Sequence, residues 1–142
     1  MKNQKNAFTM IELIFVILIL GILSAVAVPK FNQAALEAEI SSAKADIASI
    51  RSGIVSERQT RLITGDASWI SNANLDTGNG DFFGGVLMYG ISASTGNSGW
   101  SGTAGSGTYT LSIAGSNNTF DYNSTTGTFN CTAGNECSDL TN

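Results

Sequence analysis

Four groupings of residues in this chain could do chemistry. Glu12 is an acid set in an otherwise unbroken apolar run, residues 7–29, AFTMIELIFVILILGILSAVAVP. A charge there costs about 2–3 kcal/mol to place in a bilayer. So costly an acid points to a use; the competing reading is an acid tolerated near the membrane interface. Cys131 and Cys137 are the only cysteines. Their C-x5-C spacing, with no other sulfur or imidazole, is wrong for zinc, which leaves a disulfide, free thiols or a redox pair. Asp76-Thr77-Gly78-Asn79-Gly80-Asp81 spaces acid and amide oxygens like part of a calcium loop but lacks the downstream Glu of an EF-hand. An ordinary turn is the competing reading. Asp121-Tyr122-Asn123-Ser124-Thr125 fits the longer acceptor pattern of bacterial N-glycosylation, with an acid two residues before Asn123.

What the chain lacks narrows the field further. It has no His, so the commonest general base and metal ligand at neutral pH is missing. There is no nucleophile elbow, no phosphate-binding loop and no carboxylate pair arranged as a glycosidase dyad, and an enzyme is not expected. The formal charge of −4 conceals an asymmetry. Lys2, Lys5, Lys30, Lys44, Arg51, Arg58 and Arg61 are the only basic residues, while Asp66, Asp76, Asp81, Asp121, Glu136 and Asp139 follow them. An acidic distal part is a poor partner for nucleic acid.

The elements that must position these groups follow from periodicity. Phe8–Val28 is 21 residues of apolar sequence, roughly 31 Å as a helix and enough to span a bilayer core. Beyond Pro29, Leu36, Ile40, Ala43, Ile47, Ile50 and Ile54 recur at steps of three and four, one stripe of an amphipathic helix. The pattern predicts helix from about Phe8 to about Arg61, with a bend or local melting near Pro29, added flexibility at Gly21 and a weak point at Gly53. A lone helix cannot bury its own stripe, so the distal part must cover it. There, Val86–Ile91 and Thr108–Ile113 read as strands, and Thr119–Tyr122 and Thr128–Cys131 as a hairpin about residues 123–127. Asp66–Gly85 and the Ser/Gly-rich Ser92–Gly107 read as loops, pinned by Trp69 and Trp100.

The N-terminal residues resemble the type IV pilin and type II secretion pseudopilin family. A short leader with Lys2 and Lys5 ends at Ala7, and Phe8-Thr9-Met10-Ile11-Glu12 opens the apolar helix. The resemblance implies cleavage between Ala7 and Phe8, N-methylation of Phe8, and pairing of Glu12 with the new ammonium of a neighbouring subunit. Gly21 and Pro29 match the family's helix-breaking pair. Ala7 stands where the family usually has Gly, which implies slower processing. The close match runs over about Ala7–Phe31.

The resemblance implies an α+β, pilin-like fold: a long N-terminal helix on a small antiparallel sheet. The chain then divides into a leader (1–7), a transmembrane and assembly half of the helix (8–30), its amphipathic half (31–61) and a β-rich periplasmic head (62–142). Because the cut precedes the apolar core, the core stays, unlike that of a secretory signal. Lys2 and Lys5 keep their end cytoplasmic, so the head faces the periplasm or beyond, where a Cys131–Cys137 disulfide would persist. The implied partners are a prepilin peptidase that also methylates, an inner-membrane assembly platform and ATPase, sister pilins or pseudopilins, the membrane, and copies of this chain in a helical filament. The shortness of the chain and its small head favour a pseudopilin; the terminal disulfide favours a type IV pilin. A membrane-tethered binding module that never polymerises is the more distant alternative. No cofactor is expected; Asp76–Asp81 reads first as an ordinary turn, with calcium the lesser alternative.

Overall fold

The computed structural model describes residues 8–141. It falls into two compact units, one ending at Ala35 and one beginning at Leu36. A single helix, α1 (Met10–Ile63), contributes to both. In the first unit every described side chain is exposed. The helix contains a stretch apolar and long enough to cross a membrane, with none of it buried. Ser24 is satisfied within the helix: its Oγ donates to the Leu20 carbonyl at 2.7 Å, which removes the need for a partner in an apolar medium. α1 stays helical through Gly21 and Pro29, so the helix does not melt near Pro29. Proline removes one donor, but the turns on either side still close.

The second unit is where α1 becomes amphipathic. Ala43, Ile47, Ile50 and Ile54 are buried and Ile40 is half-buried, as the periodicity predicts, whereas Leu36 is exposed. This stripe packs on a four-stranded antiparallel meander, β1 (Gly99–Gly102), β2 (Thr108–Ile113), β3 (Ser116–Asn123) and β4 (Thr128–Ala133), in spatial order β1-β2-β3-β4. Alternation places Tyr109, Leu111 and Ile113 of β2, and Asn118, Phe120 and Tyr122 of β3, on the buried face. Phe83, Trp100, Tyr109, Phe120 and Phe129 form an aromatic core. Its ring centroids lie 4.5 Å apart for Phe83–Tyr109 and 5.4 Å for both Phe83–Trp100 and Trp100–Phe120.

Two local expectations are corrected. Val86–Ile91 is not a strand; only a bridge between Phe82 and Ile91 forms. Glycines 84 and 85 precede it and Gly90 lies within it; Val86 N and Leu87 N are spent in a turn on Phe83 O, and Gly90 N on Asn79 O. Conversely, Ser92–Gly107 is not wholly loop, because β1 runs through it. Trp100 pairs with Leu111 in the ladder, and its buried ring supplies what the small residues around it lack. Trp69 does pin the preceding loop, with the Arg58 guanidinium 4.0 Å from its ring centroid. Two short helices, α2 (Asn72–Leu75) and α3 (Cys137–Thr141), complete the unit.

Candidate functional site

The first helical turn holds the site. Thr9 precedes Met10 and serves as the N-cap: its Oγ1 accepts from Glu12 N at 3.3 Å, and Glu12 Oε2 accepts from Thr9 N at 3.5 Å. This reciprocal pair, with long bonds, is a capping box, and it places an acid where the helix dipole favours one. Thr9 is thus a site residue that sequence reasoning passed over, although Thr-x-x-Glu before an apolar run was the signal for it. Among the described residues only Thr9 bonds the Glu12 carboxylate, so Oε1 stays available to a cation. Phe8 beside it is 77% exposed. Ala7, on the other side of the expected cut, lies outside the described residues, as do Lys2 and Lys5.

This capped acid heads an uncovered apolar helix, and a family model agrees with it. The model of the prokaryotic N-terminal methylation motif matches residues 2–28. Over those residues the chain is similar to the N-termini of type IV pilins and pseudopilins, which supports the resemblance drawn from the sequence. The motif implies processing by a prepilin peptidase and assembly among pilins, and it fits anchoring in a membrane by the apolar helix. Neither a curated protein nor a solved structure matches the chain.

The other sequence candidates lie in the second unit. Cys131 and Cys137 form a disulfide, with Cα atoms 5.6 Å apart. Closing so short a loop stabilises by about 2 kcal/mol in the chain-entropy model. The loop is also held from beneath. Asn118, fully buried on β3, donates to Glu136 Oε2 at 2.8 Å and accepts from Glu136 N at 3.1 Å. A buried amide so placed is satisfied on both its oxygen and its nitrogen.

In Asp76–Asp81 the acids engage protein donors. Asp76 Oδ1 accepts from Phe83 N at 2.9 Å, and its Oδ2 accepts from Gly105 N at 2.7 Å and the Tyr109 hydroxyl at 2.8 Å. Asp81 Oδ2 accepts from Ala93 N at 2.7 Å. Asp76 therefore ties three segments together, and it holds Phe83 at φ +61°, a left-handed conformation costly for a bulky residue. Among the described residues no group of three or more His, Cys, Asp or Glu is placed to hold a metal ion. Burial first, then the Asp76 hydrogen bond and charge, push the Tyr109 hydroxyl well above its ordinary range. Burial likewise raises Tyr122. Hydrogen bonding by Ser68, with help from the Arg61 charge, lowers Asp66.

Two further acids on α1 anchor the sheet, and sequence reasoning passed over both. Glu39 Oε2 accepts from Ser98 Oγ and from Ala114 N, and Asp46 Oδ2 accepts from Trp100 Nε1 at 3.2 Å. Asn123 ends β3 at the hairpin, exposed. Glu39 and Asp46 line one pocket together with Ser98 and Leu111, and among the described residues the Asn123 side chain bonds only its own turn.

Proposed function

We propose that this chain is the structural subunit of a type II secretion pseudopilus, a pseudopilin drawn from the inner membrane into a periplasmic filament. The reading rests above all on Glu12, a capped acid at the head of α1, whose apolar membrane-length stretch is not buried within the chain. A surface so apolar must be covered by lipid or by other helices. Before assembly lipid covers it; in the filament the same helix of sister subunits does. Cleavage after Ala7 creates an ammonium on Phe8. Its pairing with Glu12 of a neighbour offsets the desolvation of both groups and sets the axial register. Lys2 and Lys5 hold their end in the cytoplasm, and the head lies in the periplasm. A prepilin peptidase and methyltransferase, an assembly platform and its ATPase act on the helix.

The small head favours the secretion machine. The Cys131–Cys137 bond favours a second reading, a subunit of a surface pilus serving adhesion, motility or DNA uptake. In either case the chain is structural and not an enzyme.

The capping box separates the two roles of Glu12. Glu12→Gln keeps an oxygen for Thr9 N but removes the charge; Glu12→Ala removes both. Charge pairing predicts that both variants insert in the membrane and neither enters filaments. Recovery of filaments by Glu12→Gln would show that the cap alone matters. Normal incorporation of Glu12→Ala would remove the acid from assembly altogether. Shearing cells of wild type then separates the readings, since a surface pilus is released and a periplasmic pseudopilus is not.

A further inference from the structure

Asp121–Thr125 takes no part in the proposed assembly, and the fold presents it at one accessible point. Asn123 is the last residue of β3 and lies on its solvent face, opposite Asn118, Phe120 and Tyr122. Its Oδ1 accepts from Thr125 N at 2.8 Å and Thr126 N at 3.3 Å, so the turn fixes the oxygen. Among the described residues its Nδ2 has no hydrogen-bond partner. The chain contains three Asn-x-Ser/Thr triplets, at Asn117, Asn123 and Asn130. Only Asn123 has an acid two residues before it; Gly115 and Thr128 occupy that place for the other two.

We propose that Asn123 is an acceptor for an N-linked glycan, transferred from a lipid-diphosphate-linked oligosaccharide before the head folds. In the transfer, Asn123 Nδ2 forms a bond to C1 of the first sugar. The bond from C1 to the diphosphate oxygen breaks, the lipid diphosphate leaves with its electron pair, and the amide gives up one proton to a base of the transferase. No oxidation or reduction is involved.

The order of events follows from what holds the pentapeptide. A transferase that reads the acid, the asparagine and the Thr125 hydroxyl must take hold of all five residues in one extended segment. In the folded head, Asp121 accepts from the Thr108 and Thr132 hydroxyls, both at 2.7 Å. Tyr122 is 5% exposed, and its hydroxyl donates to Ile70 O at 2.8 Å. β3 is paired on both sides, by β2 and by β4. Releasing Asp121 and Tyr122 therefore means opening the middle of the sheet, whereas an unfolded chain offers the segment freely. Once attached, the glycan projects from the hairpin, where Ser124, Thr125 and Thr126 are exposed, and the core is undisturbed.

The full chain is synthesised cell-free into detergent micelles. A bacterial oligosaccharyltransferase and its lipid-linked donor are present from the start or added after folding, with an acceptor peptide as positive control. Trypsin leaves Leu62–Asn142 as one fragment, because no Lys or Arg follows Arg61. The fragment should gain one oligosaccharide in the first arm and at least tenfold less in the second. The gain should vanish in Asn123→Asp, which keeps the turn's acceptor oxygen, and survive Asn117→Gln with Asn130→Gln. No gain in the first arm, or a gain that persists in Asn123→Asp, overturns the acceptor assignment. Equal gain in both arms overturns the order of glycosylation and folding.

Discussion

Replacing Gly53 with alanine sets two effects of opposite sign against each other. In an exposed helix interior the change stabilises by about 1 kcal/mol, since glycine loses the most backbone freedom on folding. Gly53 lies inside α1, but the Val86 segment crosses it at close range. A Cβ there would sit 2.6 Å from the Val86 carbonyl oxygen and 3.1 Å from Val86 Cβ. Ordinary contact requires the segment to move by nearly 1 Å. It is not free to do so: Val86 N and Leu87 N both donate to Phe83 O, and Phe83 is fully buried and held by Asp76. Overpacking against a fixed backbone costs about 1–3 kcal/mol. The net expectation is that Gly53→Ala destabilises by about 1 kcal/mol, and Gly53→Val by more. Urea unfolding of the full chain in detergent, followed by fluorescence of the buried Trp100, measures it as a lower midpoint at unchanged slope. A raised midpoint for Gly53→Ala would refute the close approach and leave only helix propensity.

Two further outcomes concern the hub at Asp76. Asp76→Ala orphans three donors and should cost about 3–5 kcal/mol, whereas Asp76→Asn should cost about 1–3, because either orientation of the amide turns its NH2 toward a backbone N–H. Equal midpoints for Asn and wild type in the same unfolding assay would sink this role. Tyr109 is raised above its ordinary value near 10, so above that pH the unfolded chain loses its proton while the folded head keeps it. Stability contributed below pH 10 is then lost as pH rises, by up to about 1.4 kcal/mol per pH unit for each such tyrosine. Tyr109→Phe should flatten the decline, and a midpoint independent of pH from 9 to 11.5 would contradict it.

How much was legible depended on whether the signal was local. The apolar run, the buried stripe Ala43–Ile54 and the strands β2, β3 and β4 follow from periodicity, and the structure places them as the pattern requires. β1 was hidden because Gly99, Ser101 and Gly102 have no strand preference, and only the ladder with β2 and the burial of Trp100 make it a strand. Val86–Ile91 carried the composition of a strand, but its amides found nearer partners. Gly53 reads as a helix weakness until the segment that crosses it is known. At the candidate site Glu12 stood out by its cost, while Thr9 needed the motif to be read as a cap. Asp76 was read for its spacing to Asp81; its true partners lie 7, 29 and 33 residues away, beyond any local pattern.

Intact-mass spectrometry of the protein extracted from native membranes without reductant tests the central claim most directly. A filament subunit of this kind should begin at N-methyl-Phe8 and weigh two hydrogens less than its reduced form, reporting both the processed terminus and the Cys131–Cys137 bond. A chain that still begins at Met1 would contradict the account, because without the Phe8 ammonium Glu12 has no partner in a neighbouring subunit, and the protein would be a tethered module instead.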